Sequence, residues 1–317
     1  MTHQQKKSEL LEIEKYVKKN NIDVVFGFDQ PVSRPSYKYL RRGGVKIIIS
    51  YWGAPMSSIN TGLKLKLKQL QVALTPNSPD HYIFESEAMA QSAYLGRGIP
   101  KNKVSIVYLG VNTEKFKPAN TENFYSHDTF NIVKDRRILF YSGHMETRKG
   151  VGVLVNAAKH LYNHHNKRDF HFLILGNKGN EDKQYLEMLA DDGARDHVTF
   201  GGYRNDIEKI MPSCYLGIIA STGWDSFTMS SLEMAASGLP LLVSNLQGLA
   251  ETIDEGKTGY SFEPGNHIEL SELIISMLND YESRNFMGQN ARKRILSKFT
   301  VQIQIERLVT LVMQTTT

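Results

Sequence analysis

From Arg137 onward, short apolar runs alternate with helical stretches, and this alternation limits the possible folds of the chain more than any other feature. Such alternation is typical of parallel strands joined by crossover helices. Most of the runs end in Gly or Ser, which suits the carboxyl edge of a parallel sheet, where loops turn sharply and ligands bind. The predicted strands are Arg137 to Ser142, His171 to Gly176, His197 to Gly202, Leu216 to Ser221 and Leu239 to Ser244.

The first third of the chain repeats this pattern more weakly and predicts a second sheet. Its strand candidates are Ile22 to Phe28, Lys46 to Tyr51, His81 to Ser86 and Lys103 to Gly110. The stretch GLKLKLKQLQVAL alternates Leu with Lys at a period of two, yet it lies where a helix is needed, so a helix is predicted. A polar segment containing Pro and Asn follows, so the boundary between domains 1–118 and 119–299 is predicted near Pro118.

Charge is distributed unevenly along the 317 residues. Residues 1–118 contain 18 Lys or Arg and 9 Asp or Glu, a net charge of +9, while the whole chain carries +5. A basic third could serve a peripheral membrane contact, a protein partner or an anionic acceptor, or it could simply be a solvated basic face. The lysines are not interleaved with aromatic residues and no nucleic-acid module is recognisable, so nucleic acid is not expected as a partner.

The single cysteine, Cys214, excludes an internal disulfide framework and fits a reducing cytoplasm. It lies in the segment MPSCYLGII, which mixes polar and apolar residues, so a half-buried structural thiol is expected rather than a nucleophile. No run approaches the roughly 18 apolar residues of a membrane span, and the polar start MTHQQKK is unlike a secretory signal. A cytoplasmic protein, peripheral at most to the inner membrane face, is expected.

The most informative segment is STGWDSFTMSSLEMAASGLPLLVS, in which Asp225 and Glu233 are eight residues apart on a loop and the following helix. The unpaired amides and positive dipole end of that helix, around Phe227, Thr228 and Met229, form a ready anion site. A phosphate seat flanked by two carboxylates suits a nucleotide sugar, since sugar hydroxyls donate to carboxylates. By spacing alone, a helix glutamate and an unrelated loop aspartate remain an alternative.

The order of motifs resembles the retaining glycosyltransferases of family 4, which have the GT-B fold. Their pattern E-G-F-G-x-x-x-x-E-A-M-A-x-G-x-P-V stands here as D-S-F-T-M-S-S-L-E-M-A-A-S-G-L-P-L, with Asp225 in place of the first Glu. YSGHMETRKGVGVLVNAA is similar to the family's G-R-L-x-x-x-K-G segment, and SNLQGLAETIDEGKTGYSFEPGN to a later one. The resemblance runs from about Leu10 to Val312 and includes closing helices that cross back to the N-terminal domain.

The resemblance implies two Rossmann-like domains facing across a cleft, with a donor site in the second. Lys149 matches the lysine that grips the donor diphosphate, His144 stands in place of the usual arginine after Gly143, and Arg148 can supply the missing charge. Asp225 and Glu233 would hold the transferred sugar and the ribose. The segment FGGYRNDIEKI resembles the loop beside the nucleotide base, which makes Tyr203 and Arg204 candidates there, with a core-packed Tyr203 as the alternative.

The implied reaction moves a hexose from a UDP- or GDP-sugar to a glycan or lipid-linked acceptor, with no other cofactor. No Asp-x-Asp motif or His/Asp cluster at ligand spacing occurs, so no metal is expected. On the acceptor side, Asp29, Tyr51 and Trp52 follow strand ends; Asp29 could instead begin a turn and Trp52 could pack in the core. Family members begin with about three further strands, whereas Met1 here opens directly onto the helix before a middle strand. The sequence is expected to be either a fragment or a reduced version whose acceptor site is built otherwise, for example with a partner.

The shortened acceptor domain leaves rival interpretations open. A non-catalytic donor-binding subunit or scaffold that needs a partner chain is the main alternative to an active transferase. A phosphorylase or an epimerase on the same architecture is a weaker one, since the sequence identifies neither a cofactor lysine nor paired carboxylates in both domains.

Overall fold

The computed structural model describes residues 6–119 and 123–316, and its contacts divide the chain into two compact units. The first unit comprises Met1–Tyr108 and Gln304–Thr317, and the second comprises Leu109–Ile303. Each unit contains one all-parallel sheet with helices, which confirms the predicted α/β class. The first segment of the first unit ends at Tyr108, before the predicted boundary at Pro118. Residues after Tyr108 already belong to the second unit, where Val111 forms a bridge with Thr300. The boundary at Pro118 stays a prediction.

The first unit is a four-stranded sheet in the order β1-β2-β3-β4. Its strands are β1 (Val24–Phe28), β2 (Ile47–Trp52), β3 (His81–Phe84) and β4 (Val104–Ile106). Its first helices are α1 (Lys7–Lys19), α2 (Pro35–Gly43), α3 (Gly62–Ala73) and α4 (Glu87–Gln91), and α4 continues into a π-helical turn, Ser92–Arg97. All four predicted strands are present, with shorter bounds at β1, β3 and β4.

The Leu/Lys stretch is helical, as predicted, and forms α3. Val72 is buried and Leu65 is partly buried on the inner side of the helix, while most of the other leucines are exposed. Apolar residues therefore occupy two opposite sides of one helix. Two opposite apolar sides explain why the sequence alternates with an apparent period of two without forming a strand.

The second unit is a six-stranded sheet in the order β10-β9-β8-β5-β6-β7. Its strands are β5 (Arg137–Ser142), β6 (Phe170–Leu175), β7 (Val198–Phe200), β8 (Leu216–Ile219), β9 (Leu241–Ser244) and β10 (Gly259–Phe262). Its helices are α5 (Tyr125–Phe130), α6 (Val151–Asn163), α7 (Lys183–Glu187), α8 (Ile207–Ile210), α9 (Met229–Ala236), α10 (Gln247–Ala250), α11 (His267–Asn279) and α12 (Tyr281–Lys298). The predicted strands are confirmed, and β10 is an additional one.

The core of the second unit lies between the sheet and its helices. The strands contribute side chains such as Leu139, Phe172 and Ile218, and α6 and α11 cover them with Leu154 and Ile274, all at most 1% exposed. β6 is buried along its whole length, as expected for a central parallel strand covered on both faces. Cys214 is buried more fully than predicted, and burial raises the pKa of its thiol to about 12, so it is a structural residue.

The last helix, α13 (Val301–Thr316), packs against the first sheet, as the resemblance implies. Leu308, Leu311 and Val312 contact a cluster that contains Ile49 and Ile83 of that sheet. Within residues 6–119 and 123–316, no helix combines the length and the apolar character that a bilayer crossing requires.

Candidate functional site

The second sheet has the strand order that creates a ligand crevice. Starting from β5, the chain adds β6 and β7 on one side and then returns to add β8, β9 and β10 on the other. This is the strand order of dinucleotide-binding sheets, in which ligands bind beyond the carboxyl ends of the strands at the point where the order reverses. Here that point lies between the ends of β5 and β8.

A cavity of about 290 Å³ lies at this edge of the sheet. It is lined by Ser142, Gly143, His144, Gly176, Lys178, Tyr203, Arg204, Ile207 and Ser230. Four candidates named from the sequence, Gly143, His144, Tyr203 and Arg204, thus lie together. Tyr203 is 62% exposed, which excludes its core-packed alternative.

Close backbone contacts hold the cavity loops in place. Gly143 N–H donates to the carbonyl of Leu175 at 3.1 Å, and Gly176 N–H donates to the carbonyl of Gly202 at 2.9 Å. Gly176 has φ +112°, and a Cβ added there would lie 2.1 Å from the carbonyl oxygen of Gly143. Only glycine fits at this position, because any side chain would push the β5 and β6 loops apart.

Cationic groups line the same cavity. The ammonium group of Lys178 lies 4.8 Å from the centre of the Tyr203 ring. The Arg204 guanidinium donates to both carboxylate oxygens of Asp206, at 2.8 and 2.6 Å, and this pairing holds the pKa of Asp206 at about 2. Asp206 also accepts from the Tyr125 hydroxyl at 2.8 Å. Arg204 is therefore held in one orientation, and the cavity suits an anion beside an aromatic ring. Lys178 was not among the sequence candidates, although its place just after β6 could have suggested it.

Lys149 and Asp225 form a buried ion pair next to this edge. The Lys149 Nζ donates to Oδ1 and Oδ2 of Asp225 at 3.0 and 2.9 Å, and Asp225 is 4% exposed. The carboxylate also accepts from the Ser221 hydroxyl at 2.6 Å and from the Ser226 N–H at 3.0 Å. Both oxygens of Asp225 are thus engaged within the protein, which the sequence did not predict.

Arg148 is also engaged within the second unit. Its Nε donates to Glu146 at 2.7 Å, and its guanidinium lies 4.6 Å from the centre of the Trp224 ring. The side chain is partly exposed, so it can still exchange these partners for an anion.

The start of α9 reaches the cavity through Ser230, whose hydroxyl donates to the Ser142 carbonyl at 2.9 Å. Thr228 is the N-cap residue and accepts from the Ser231 N–H. The first-turn amides of such a helix have no carbonyl partner within it, and they can bind an anion. Phe227 is 1% exposed and packs against Phe299, so its side chain anchors the loop, whereas Met229 is exposed.

Glu233 lies three residues after Ser230, hence on the same side of α9. Burial raises the pKa of its carboxyl group to about 7, against the opposing charge of Lys115. It does not line the cavity itself. Glu233 thus lies within α9, whereas Asp225 lies in the loop before α9 and binds Lys149 from the loop after β5.

In the first unit, Asp29 and Tyr51 meet at the strand ends, where the Asp29 N–H donates to the Tyr51 carbonyl at 2.8 Å. Asp29 follows β1 at a bend of the chain, where it has the left-handed φ of +49°. Glu85 joins them, and burial and the charge of Asp29 raise its pKa to about 7, against the Tyr51 hydroxyl, which lowers it. Glu85 follows β3 and could have been found by the same strand-end rule. Trp52 instead stacks on Phe84 and donates to the Ser50 hydroxyl at 2.7 Å, in agreement with its core-packing alternative.

Comparison with known proteins identifies the family of this chain. Residues 125–294 match the family described as "Glycosyl transferases group 1", and the chain therefore belongs to this family. It is 22% identical over 206 residues to an Escherichia coli protein named UDP-Gal:alpha-D-GlcNAc-diphosphoundecaprenol alpha-1,3-galactosyltransferase, covering 65% of this chain and 53% of that one. Alignments span about half to two thirds of the length of such curated relatives.

Solved structures show the same fold. A glycosyltransferase from Rickettsia africae superposes with a TM-score of 0.83 at 19% identity, over 99% of this chain and 83% of that one. Anabaena HepE in complex with UDP-glucose gives a TM-score of 0.74 at 17% identity, over 95% and 81% of the two chains. These neighbours support the GT-B fold. In the parts of the chain that the structure describes, no three His, Cys, Asp or Glu side chains are placed to hold a metal ion.

Proposed function

We propose that this protein is a retaining, metal-independent glycosyltransferase that moves a hexose from a UDP- or GDP-sugar to a hydroxyl group of a glycan or lipid-linked acceptor. The main support is the cavity at the reversal point of the second sheet, which combines an exposed aromatic ring, cations and a helix start. About 290 Å³ is near the lower end of ligand pockets, which suffices for part of a nucleotide. The UDP-glucose complex of Anabaena HepE supports this class of donor.

In the proposed reaction the bond between the anomeric carbon and the diphosphate oxygen breaks. The acceptor oxygen forms its bond to the same face of that carbon, and the acceptor proton passes to the departing phosphate. Negative charge grows on the diphosphate, so nearby cations and amides stabilise the transition state more than the ground state. Lys149, Arg148, His144 and the first turn of α9 would supply this stabilisation, together with Lys178.

The two carboxylates would have different roles. Glu233 would accept hydrogen bonds from the ribose hydroxyls. Asp225 would hold the transferred sugar only if Lys149 moved away, because Lys149, Ser221 and Ser226 engage both of its oxygens. In this conformation, the Asp225 carboxylate instead positions the Lys149 ammonium group through their two hydrogen bonds. Tyr203 and Arg204 would contact the base, while Gly143, Thr228 and Met229 would contribute main-chain groups.

The acceptor would bind beside Asp29, Tyr51 and Glu85. A lipid-linked acceptor is supported by the name of the Escherichia coli relative, which acts on a diphosphoundecaprenol-linked sugar. A cytoplasmic location at the inner membrane face would suit such an acceptor, and the free thiol of Cys214 is consistent with a reducing compartment.

The first experiment is a thermal-shift panel of UDP-, GDP- and ADP-sugars, because a ligand that binds only the folded state raises Tm. The matching donor is then tested for sugar transfer, with the anomeric configuration of the product read by NMR. Product with inverted configuration would refute the retaining mechanism. Donor binding without transfer to any glycan or lipid-linked acceptor would favour the alternative of a non-catalytic donor-binding subunit.

Variants test the site itself. Lys178→Ala should weaken donor binding roughly tenfold, about 1.4 kcal/mol, since it removes one charge-assisted contact to the donor. Lys183→Ala, an exposed lysine on α7, is the matched control and should leave the Kd unchanged. Glu233→Gln should abolish transfer with the fold intact, whereas the exposed Glu282→Gln should not. Full turnover by the Glu233→Gln variant would overturn the assignment of the site.

A further inference from the structure

Helix α3 carries an apolar stripe that faces away from the protein. Leu63, Leu67, Leu70 and Leu74, here called the leucine stripe, are 74%, 58%, 54% and 73% exposed. Their spacing of four, three and four residues places them within an arc of about 60° on the helix surface. Four large apolar side chains aligned in this way are unusual on a water-facing helix, and they indicate a surface for another apolar phase.

The opposite side of α3 is fixed to the first unit, so the stripe cannot turn inward. Val72 is buried roughly opposite the stripe. The backbone of Gly98 packs tightly against the helix, and a Cβ added there would lie 2.6 Å from the amide nitrogen of Gln69. Before the helix, the Asn60 side chain donates to the Gly96 carbonyl at 2.6 Å. The exposure of the stripe is therefore a property of the fold.

Basic groups flank the stripe. Lys66 lies about 40° beyond one edge and Lys64 about 60° beyond the other, and both are exposed. The Arg97 guanidinium donates to the side chain of Gln71, which lies two turns after Lys64 on the same side of α3, at 3.1 Å. Helix α3 itself contains three lysines, Lys64, Lys66 and Lys68, and no Asp or Glu. A partner for this face must therefore combine an apolar layer with negative charge.

We propose that α3 docks the protein onto an anionic lipid bilayer, with the leucine stripe in the headgroup and acyl boundary and Lys64 and Lys66 at the lipid phosphates. A helix with an apolar stripe flanked by lysines has the geometry of interfacial helices that lie in the membrane plane. A second copy of this chain fits worse, because it would bring two lysine-rich faces together. The inference extends the proposed peripheral location and does not depend on the transfer chemistry.

Flotation of the full chain with lipid vesicles tests this docking. The protein should float with vesicles of 70% phosphatidylcholine and 30% phosphatidylglycerol, and at least tenfold less with pure phosphatidylcholine. Raising NaCl from about 0.1 to 0.5 M should weaken binding, since screening shortens the reach of the lysine charges. Absence of binding to the anionic vesicles would overturn the proposal.

Two double variants separate the apolar and electrostatic contributions. Leu67→Gln with Leu70→Gln should reduce vesicle binding at least tenfold, and Lys64→Gln with Lys66→Gln should reduce both the binding and its salt dependence. The matched controls are Ile268→Gln with Leu296→Gln, exposed apolar residues of the second unit, and Lys15→Gln with Lys18→Gln, exposed lysines of α1. Both controls should bind like the wild type.

Unchanged binding of the leucine variant would refute the proposal. So would a leucine variant that converts a dimer to a monomer in sedimentation velocity with no effect on lipid binding, since the stripe would then join two copies. Circular dichroism and Tm verify the fold of each variant. Donor-induced thermal shifts should be the same in all of them, so failure of the lipid test and failure of the proposed transferase activity remain distinguishable.

Discussion

Replacing Lys149 with alanine should destabilise the fold as well as weaken donor binding. The substitution would leave Asp225, at 4% exposure, with only the Ser221 hydroxyl and the Ser226 amide as partners. Breaking a buried ion pair from one side costs about 3–5 kcal/mol. Because the Lys149 side chain is 17% exposed and water can reach the site, we expect about 3 kcal/mol.

The double-mutant cycle gives the sharper test. Asp225→Ala should cost about 2 kcal/mol, since the remaining Lys149 can turn toward water, as lysines commonly do. The double variant removes both charges and should cost about 3 kcal/mol, which is roughly 2 kcal/mol less than the sum of the single changes. Urea unfolding of the four proteins measures these differences.

The matched control is the exposed pair of Lys183 and Glu187, one helical turn apart on α7 with 4.0 Å between the charged atoms. Its coupling energy should not exceed about 0.5 kcal/mol. A coupling energy below about 0.5 kcal/mol for Lys149 and Asp225 as well would show that the pair is not formed in solution. The proposed positioning role of Asp225 would then be wrong.

Three further predictions concern pH and backbone geometry. The folded-state pKa of Glu233, about 7, lies above its ordinary value of 4.5, so the wild type should lose stability between pH 4.5 and 7, because the unfolded chain releases this proton over a range in which the buried carboxyl keeps it. Allowing for solvent screening, urea unfolding should show a loss of roughly 2 kcal/mol relative to Glu233→Gln, and the same pH profile in both proteins would contradict the burial argument. Donor affinity, measured by calorimetry, should rise more between pH 6 and 8 in the wild type than in Glu233→Gln, because the ionised carboxylate accepts from ribose hydroxyls. Gly150→Ala should lower the free energy of unfolding by at least about 3 kcal/mol, since Gly150 has φ +73° and the new Cβ would lie 1.7 Å from the Ala220 carbonyl oxygen. The control Gly152→Ala in α6 should be neutral or stabilising by up to about 1 kcal/mol. Thermal unfolding of both variants checks this contrast.

Several site residues were predicted from the family resemblance, and they also follow a general rule of parallel sheets. Gly143, Tyr203 and Arg204 each come shortly after a strand, and the carboxyl ends of β5, β6 and β7 lie at one edge. The rule required only strand positions, which the apolar runs indicated well. It would also have indicated Lys178 and Glu85, had it been applied to every strand end.

Other features depended on contacts between distant parts of the chain. Lys149 and Asp225 are 76 residues apart, and no local pattern indicates that their side chains meet. Trp52 and Tyr51 are neighbours at the end of β2, yet they lie on opposite faces of the sheet because successive side chains of a strand alternate. Both faces are covered: Trp52 stacks on Phe84, while Tyr51, only 6% exposed, belongs to the buried cluster that α13 contacts on the other face.

The α/β class, the strand positions and the family could be read from the amino-acid sequence, because apolar periodicity and motif order are local properties. Tertiary structure alone decided which charges are paired, which aromatic rings are exposed, and which apolar side of α3 faces water. The physical reason is that burial and ion pairing arise between segments far apart in the chain. The Leu/Lys alternation of α3 contained both of its apolar sides, but only the docked helix distinguishes the one that packs from the one that remains exposed.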